Sequence, residues 1–250
     1  MKAFRLTVAI GATALVPGLA WAAGGITGTD HDFTQGGTFG AATPIGTCTY
    51  CHTPHRALKT LLLWNHTLST NTFSWDVPKT TAGTNFPTFK GDTYTGPTAK
   101  CLSCHDGSVA VGDIAWFNDS SYPGGVGMNT TKITGTHETA TNTGGMAGNH
   151  PVAMPYPYNN TGNTYNGSTT GAAAVLTEWQ ADPSFNGIKM YNDSAGNITG
   201  GVVTGSTGIE CSSCHEPHNG VAAVDDMFLR GKLTGTDKAS GYLCQQCHIK

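Results

Sequence analysis

Cys48-Thr49-Tyr50-Cys51-His52-Thr53-Pro54-His55 and Cys211-Ser212-Ser213-Cys214-His215-Glu216-Pro217-His218 share one pattern, C-x-x-C-H-x-P-H. Its first five positions recur at Cys101-Leu102-Ser103-Cys104-His105 and at Cys244-Gln245-Gln246-Cys247-His248. Two thiols three positions apart can both add to the vinyl groups on one edge of a porphyrin, and the adjacent imidazole then reaches the iron as its proximal ligand. All 8 cysteines of the chain fall into these matches, and a histidine follows every pair. Zinc sites and disulfide frameworks also use paired cysteines, but neither explains that histidine. The pattern implies four haem c groups, attached through Cys48, Cys51, Cys101, Cys104, Cys211, Cys214, Cys244 and Cys247. His52, His105, His215 and His248 are the expected proximal ligands.

The segment ahead of the first motif reads as an export signal. Lys2 and Arg5 open it, an apolar stretch from Leu6 to Leu19 follows, and Ala20-Trp21-Ala22 is a small-residue cleavage site. The stretch is interrupted by Gly11 and Pro17 and is shorter than the ~20 apolar residues of a spanning helix. Residues 1–22 are therefore expected to be removed, with cleavage after Ala22 or Ala23. Nothing later is long and apolar enough for membrane insertion, so the expected product is exported and soluble. Residues 23–250 are read as one tetrahaem domain: 23–107 with the first two motifs, 108–208 as a cysteine-free Gly/Thr-rich wrap, and 209–250 with the last two.

Composition points the same way. With 38% hydrophobic residues and 34 glycines, the polypeptide has little material for a core of its own. Four porphyrins would supply apolar surface to bury. The expected fold class is mostly irregular coil with short helices, near the attachment motifs and around Val224 to Lys232, organised around four covalently bound haems. Removing Lys2 and Arg5 from the 13 basic residues leaves 11 against 16 acidic ones, a formal charge of −5. With no basic run, nucleic acid is not an expected partner.

Six of the 10 histidines remain as candidate distal ligands: His31, His55, His66, His137, His150 and His218. A haem with imidazole on both faces only passes electrons, whereas an open face lets a small substrate reach the iron. His55 and His218 each follow a proximal histidine by three residues, too close to cross to the other face of the same haem. They are expected to reach the next one, His55 the second haem and His218 the fourth. His66 has the apolar approach Leu62-Leu63-Trp64, and His150 has a rigid one through Pro151. His31 lies near the mature N-terminus, free to reach its own subunit or a neighbour, and His137, in a polar stretch, ranks last. Met128, Met146 and Met154 are competing ligands, which would raise the potential.

The ordered set His31-Asp32-Phe33, C-x-x-C-H-T-P-H, Leu63-Trp64-Asn65-His66, Cys101 to Ala110, Asn149-His150-Pro151-Val152, C-S-S-C-H-E-P-H and a final C-x-x-C-H resembles the exported multihaem cytochromes with paired CxxCH motifs. Among these it is most similar to the filament-forming outer-surface tetrahaem cytochromes of metal-reducing bacteria. The resemblance spans nearly the whole mature chain. It implies bis-histidine haems stacked along a head-to-tail homopolymer, with one histidine, His31 or another of the spare set, donated across the subunit boundary. It implies an extracellular or cell-surface location, and redox-partner cytochromes, metal oxides or electrodes as partners. The expectation is an electron-transfer protein and not an enzyme. A soluble periplasmic or secreted shuttle and a multihaem reductase with one open haem are the alternatives.

Overall fold

The computed structural model describes residues 25–34, 46–55, 57–58, 61–76, 80, 83–115, 130–135, 138–171, 176–219 and 227–249. The expected export signal, Met128 and His137 lie outside these residues. Regular elements are few and short. The α-helices are α1 Pro97–His105, α2 Cys211–Cys214 and α3 Leu243–Cys247. The strands are β1 Thr72–Phe73, β2 Phe89–Lys90, β3 Met154–Pro155, β4 Thr164–Tyr165, β5 Ser168–Thr169, β6 Tyr191–Asn192, β7 Thr199–Gly200 and β8 Thr207–Ile209.

Each helix carries a CxxC pair, because positions i and i+3 of a helical turn point both sulfurs to one side. α1 starts with Pro97 after Gly96, where the missing proline N–H costs nothing and its fixed φ suits the first turn. The first motif closes as turns, yet the His52 amide still donates to the Cys48 carbonyl at 2.8 Å. His215 to Cys211 and His248 to Cys244 repeat that bond at 3.1 and 2.9 Å. A helix expected around Val224 to Lys232 is not formed by its described part. Residues 227–232 run as turns and bridges, with Leu229 paired to His215 and Lys232 to Tyr242, because their carbonyls and amides are taken by the attachment loops.

The largest sheet is antiparallel in the order β3-β8-β6-β7, with Met154 opposite Ile209 and Tyr191 opposite Gly208. Its strand β8 runs into Glu210 and then α2, so the third attachment motif hangs from the sheet. β4 and β5 form a hairpin closed by Asn166-Gly167, both at positive φ (49° and 72°), the pairing that a two-residue primed turn requires. The stretch read as a wrap thus supplies six of the eight strands among the described residues.

The polypeptide also builds more core than its composition suggested. Phe73, Phe89, Tyr94, Leu102, Met146, Tyr165, Tyr191 and Ile198 belong to one cluster that Cys211 packs against. Phe33, Tyr50, Val111 and Ile133 form a second beside Cys51 and Cys104, and Tyr156, Ile188 and Met190 a third beside Cys247. Tyrosines make this feasible in a polar sequence, since each brings a large apolar ring whose hydroxyl can still be bonded. Gly208 is required at the centre: a Cβ there would come within 2.3 Å of the buried Tyr165 ring.

Candidate haem-attachment site

Each of three attachment motifs is held by a segment that returns along it. His52 bridges to Trp64, His215 to Leu229 and His248 to Trp179, all antiparallel. In the first, Thr53 donates its amide to Leu63 O at 2.9 Å and Asn65 to Cys51 O at 2.9 Å. In the third, Glu216 donates to Phe228 O at 2.7 Å and Arg230 to Cys214 O at 2.8 Å. In the fourth, Ile249 donates to Glu178 O and Gln180 to Cys247 O, at 2.9 and 2.8 Å. Leu63 and Phe228 occupy the same place in two of these clamps, and both have positive φ (50° and 58°). Strain of this kind in bulky residues persists only where the surroundings impose it.

The clamps fix the proximal rings. His52 Nδ1 lies 2.6 Å from Leu62 O and His215 Nδ1 2.8 Å from Met227 O. A carbonyl cannot donate, so the ring proton is at Nδ1 and the Nε2 lone pair is left for a metal. The spare histidines follow the same rule. His31 Nδ1 meets Pro217 O at 3.1 Å, His150 Nδ1 meets Pro151 O at 2.9 Å, and His218 Nδ1 meets the Glu216 carboxylate at 3.2 Å. Such partners are the outer support that metal-ligating imidazoles generally have.

Three ring pairs then join a proximal histidine to a spare one. His52 and His218 have centroids 6.1 Å apart, His105 and His31 6.2 Å, and His248 and His150 6.4 Å. Two imidazoles on opposite sides of one metal, each bonded at about 2 Å, place their centroids roughly 6 Å apart. The separations match that requirement, so these residues could hold iron at the first, second and fourth motifs.

These ring pairs differ from the arrangement expected from the sequence. His218 stands against His52 of the first motif and not against the fourth, because the third loop folds back on the first, so the nearest motif in space is not the next in sequence. His31 faces His105, where the sequence reading expected His55, and stacks on Phe228 at 4.6 Å. Burial lowers its pKa. His55 is exposed. His66 is fully buried with Nδ1 2.8 Å from Thr67 O and Nε2 2.9 Å from Ala110 O, so both nitrogens already face carbonyls. The apolar approach Leu62-Leu63-Trp64 serves His52 and not His66. Met146 and Met154 are buried, Met146 within the largest cluster, which makes both core residues.

The thiols run in a continuous order. Cys51 interacts with Cys104, Cys101 with Cys211, and Cys214 with Cys244 and Cys247. The second and third motifs are therefore neighbours, and the two pairs seen in the sequence are not separated in space. Burial pushes the Cys51 and Cys104 thiols up to about 12 and Cys214 up to about 11. Burial thus disfavours the thiolate at these three positions.

Glu210 sits at the junction of the second and third motifs, and nothing in the sequence marked it except its place before Cys211. It caps α2, exchanging hydrogen bonds with Ser213. Its carboxyl accepts from Tyr94 and Tyr165 hydroxyls, each at 2.5 Å, and from Thr98 through both amide and hydroxyl. The Thr98 hydroxyl in turn takes the Cys211 amide at 3.1 Å, tying α1 to α2.

The residues present fit a haem group at the first motif in a further respect. Tyr50 Oη and Trp64 Nε1 are buried there without hydrogen-bond partners. A carboxylate-bearing cofactor beside His52 would supply acceptors for such donors. Among the described residues no group of three or more His, Cys, Asp or Glu converges as a metal cage, and no helix is long and apolar enough to cross a membrane. A haem iron asks for two imidazoles on one line and not for such a cage. No family model matches this chain, and no curated protein matches it.

Proposed function

We propose that the chain is an exported tetrahaem c-type cytochrome that carries electrons outside the cell, as the subunit of a head-to-tail cytochrome filament. The observation that carries the reading is that every cysteine lies in a C-x-x-C-H motif, and that three of the four motif histidines pair with a spare histidine at the spacing one iron needs. Haem iron supplies the one-electron chemistry. The eight cysteines would anchor it, and His52 with His218, His105 with His31, and His248 with His150 would close both faces of three sites. Closed faces keep small substrates off the metal, which favours electron transfer over catalysis.

The contiguous run of thiols supports a continuous path, because each attachment motif neighbours the next. At His215 no spare histidine ring is paired among the described residues, and the ring is exposed. His31 is engaged inside its own chain, so it does not suit the role of cross-subunit donor. We assign that role to His55, which stands exposed on the first loop. A heterologous contact of this kind generates a filament where its rotation does not close into a ring. Extracellular metal oxides, electrodes or partner cytochromes are the acceptors that an exported conduit would serve.

Two measurements test this. Haem counting by mass spectrometry and pyridine haemochrome spectra on the exported protein should give four haems per chain. Electron microscopy of material sheared from cells should show long thin filaments with a regular repeat. Fewer than four haems would overturn the cofactor assignment. Uniform small particles would overturn the filament while leaving a soluble carrier.

A further inference from the structure

The first and third attachment loops share the bonds of the returning clamp and the Nδ1–carbonyl contact of the motif histidine, but they differ in charge at one place. In the first, Thr53 Oγ1 receives the His55 amide at 3.4 Å, and the Asn65 side chain donates to Thr49 O at 2.5 Å. In the third, the equivalent positions are Glu216, whose Oε1 receives the His218 amide at 3.2 Å, and Arg230, whose Nε donates to Ser212 O at 3.1 Å. A neutral pair in one copy of the repeat is thus an ion pair in the other. Arg230 Nη2 and Glu216 Oε2 are 2.6 Å apart, with side chains only 10% and 19% exposed.

The other oxygen of Glu216 faces His218 Nδ1 at 3.2 Å. The ring of His218 is the one set against His52. The Glu216 carboxylate is thus held from both sides, by the Arg230 guanidinium on one oxygen and by the His218 amide and ring on the other. His31 and His150 turn Nδ1 to neutral carbonyls instead. A carboxylate on the outer nitrogen makes an imidazole a stronger donor to metal than a carbonyl does, and donor strength stabilises ferric over ferrous iron.

We propose that Glu216, clamped by Arg230, is a positioning residue that orients His218 and strengthens it as the distal ligand of the first site, setting that site at a lower potential than those served by His31 and His150. The inference rests on the tetrahaem reading above. Its consequence is a gradient within the subunit: the first site gives up its electron more readily than the second and fourth.

The test is a spectroelectrochemical titration of the haem-loaded exported protein, with electron paramagnetic resonance of the oxidised form, on the natural chain, Glu216→Gln and Glu216→Asp. In Glu216→Gln one of four transitions should move to higher potential, its low-spin signal should change, and the other three should stay in place. Glu216→Asp keeps the charge and should return that transition towards its natural position. Circular dichroism and haem count confirm that each variant is folded and loaded. If Glu216→Gln misfolds, Glu216→Thr, which installs the residue that the first loop carries at the matching Thr53 position, takes its place with the same expectation. Four unmoved transitions, or a uniform shift of all four, overturn it. A natural chain without four haems would instead overturn the cofactor reading, so the two failures are distinguishable.

Discussion

Replacing Glu210 by alanine should be among the most damaging single changes outside the haem ligands. The side chain is fully buried and accepts from Tyr94, Tyr165 and the Thr98 amide and hydroxyl. Each buried donor left without its acceptor costs about 1–3 kcal/mol, although hydroxyls can re-bond to one another or to entering water. Losing the cap of α2 costs about 1 kcal/mol more. Because such re-bonding recovers part of the simple sum, the expected loss for Glu210→Ala is about 3–5 kcal/mol, as when one partner of a buried polar pair is removed. The assay is urea unfolding of the haem-loaded protein followed by far-ultraviolet circular dichroism. A pH series adds a signed test. Burial raises the Glu210 pKa above its ordinary value, against the opposing hydrogen bonds from Thr98, Tyr165 and Tyr94. The folded state then binds the proton more tightly than the unfolded one. That contribution is fully present below the unfolded carboxyl pKa and is lost as pH rises through the folded one. Glu210→Gln never ionises and should flatten this part of the stability curve. A loss below about 1 kcal/mol in Glu210→Ala, or an unchanged pH slope in Glu210→Gln, would refute the reasoning.

Gly208→Ala drives a Cβ into the Tyr165 ring and should cost about 1–3 kcal/mol in the same unfolding assay, by overpacking. His31→Ala and His150→Ala should each open one haem face, read as carbon monoxide binding by the reduced variant to one haem per chain, at the second and fourth motifs respectively. His55→Ala should leave haem count and fold unchanged but abolish long filaments in electron micrographs, and filaments of natural length would remove it as the cross-subunit donor.

The proposed attachment chemistry is legible in the sequence because it is local. Two thiols and an imidazole within five residues meet one porphyrin edge whatever the rest of the chain does, so the eight cysteines and His52, His105, His215 and His248 needed only spacing to be picked out. The prevalence of coil is also a local property, since glycine, threonine and asparagine interrupt helices and strands wherever they cluster. The helices at three motifs do not follow from that spacing alone, since the first motif has it too and closes as turns.

The distal pairings could not be read that way. Which imidazole crosses to which motif depends on how distant segments pack, and residues three apart in sequence carry no signal for a partner more than a hundred residues away. Only the tertiary structure sets His218 against His52 and His31 against His105. Glu210 and the Glu216–Arg230 pair were hidden for the same reason, as each acts through contacts with remote backbone. The returning clamps at Trp64, Leu229 and Trp179 are likewise backbone pairings between segments with no common sequence pattern. The sequence determined where the proposed cofactors would attach, and the fold decided which imidazole rings face one another, because a C-x-x-C-H motif is local whereas ring pairing is a long-range packing outcome.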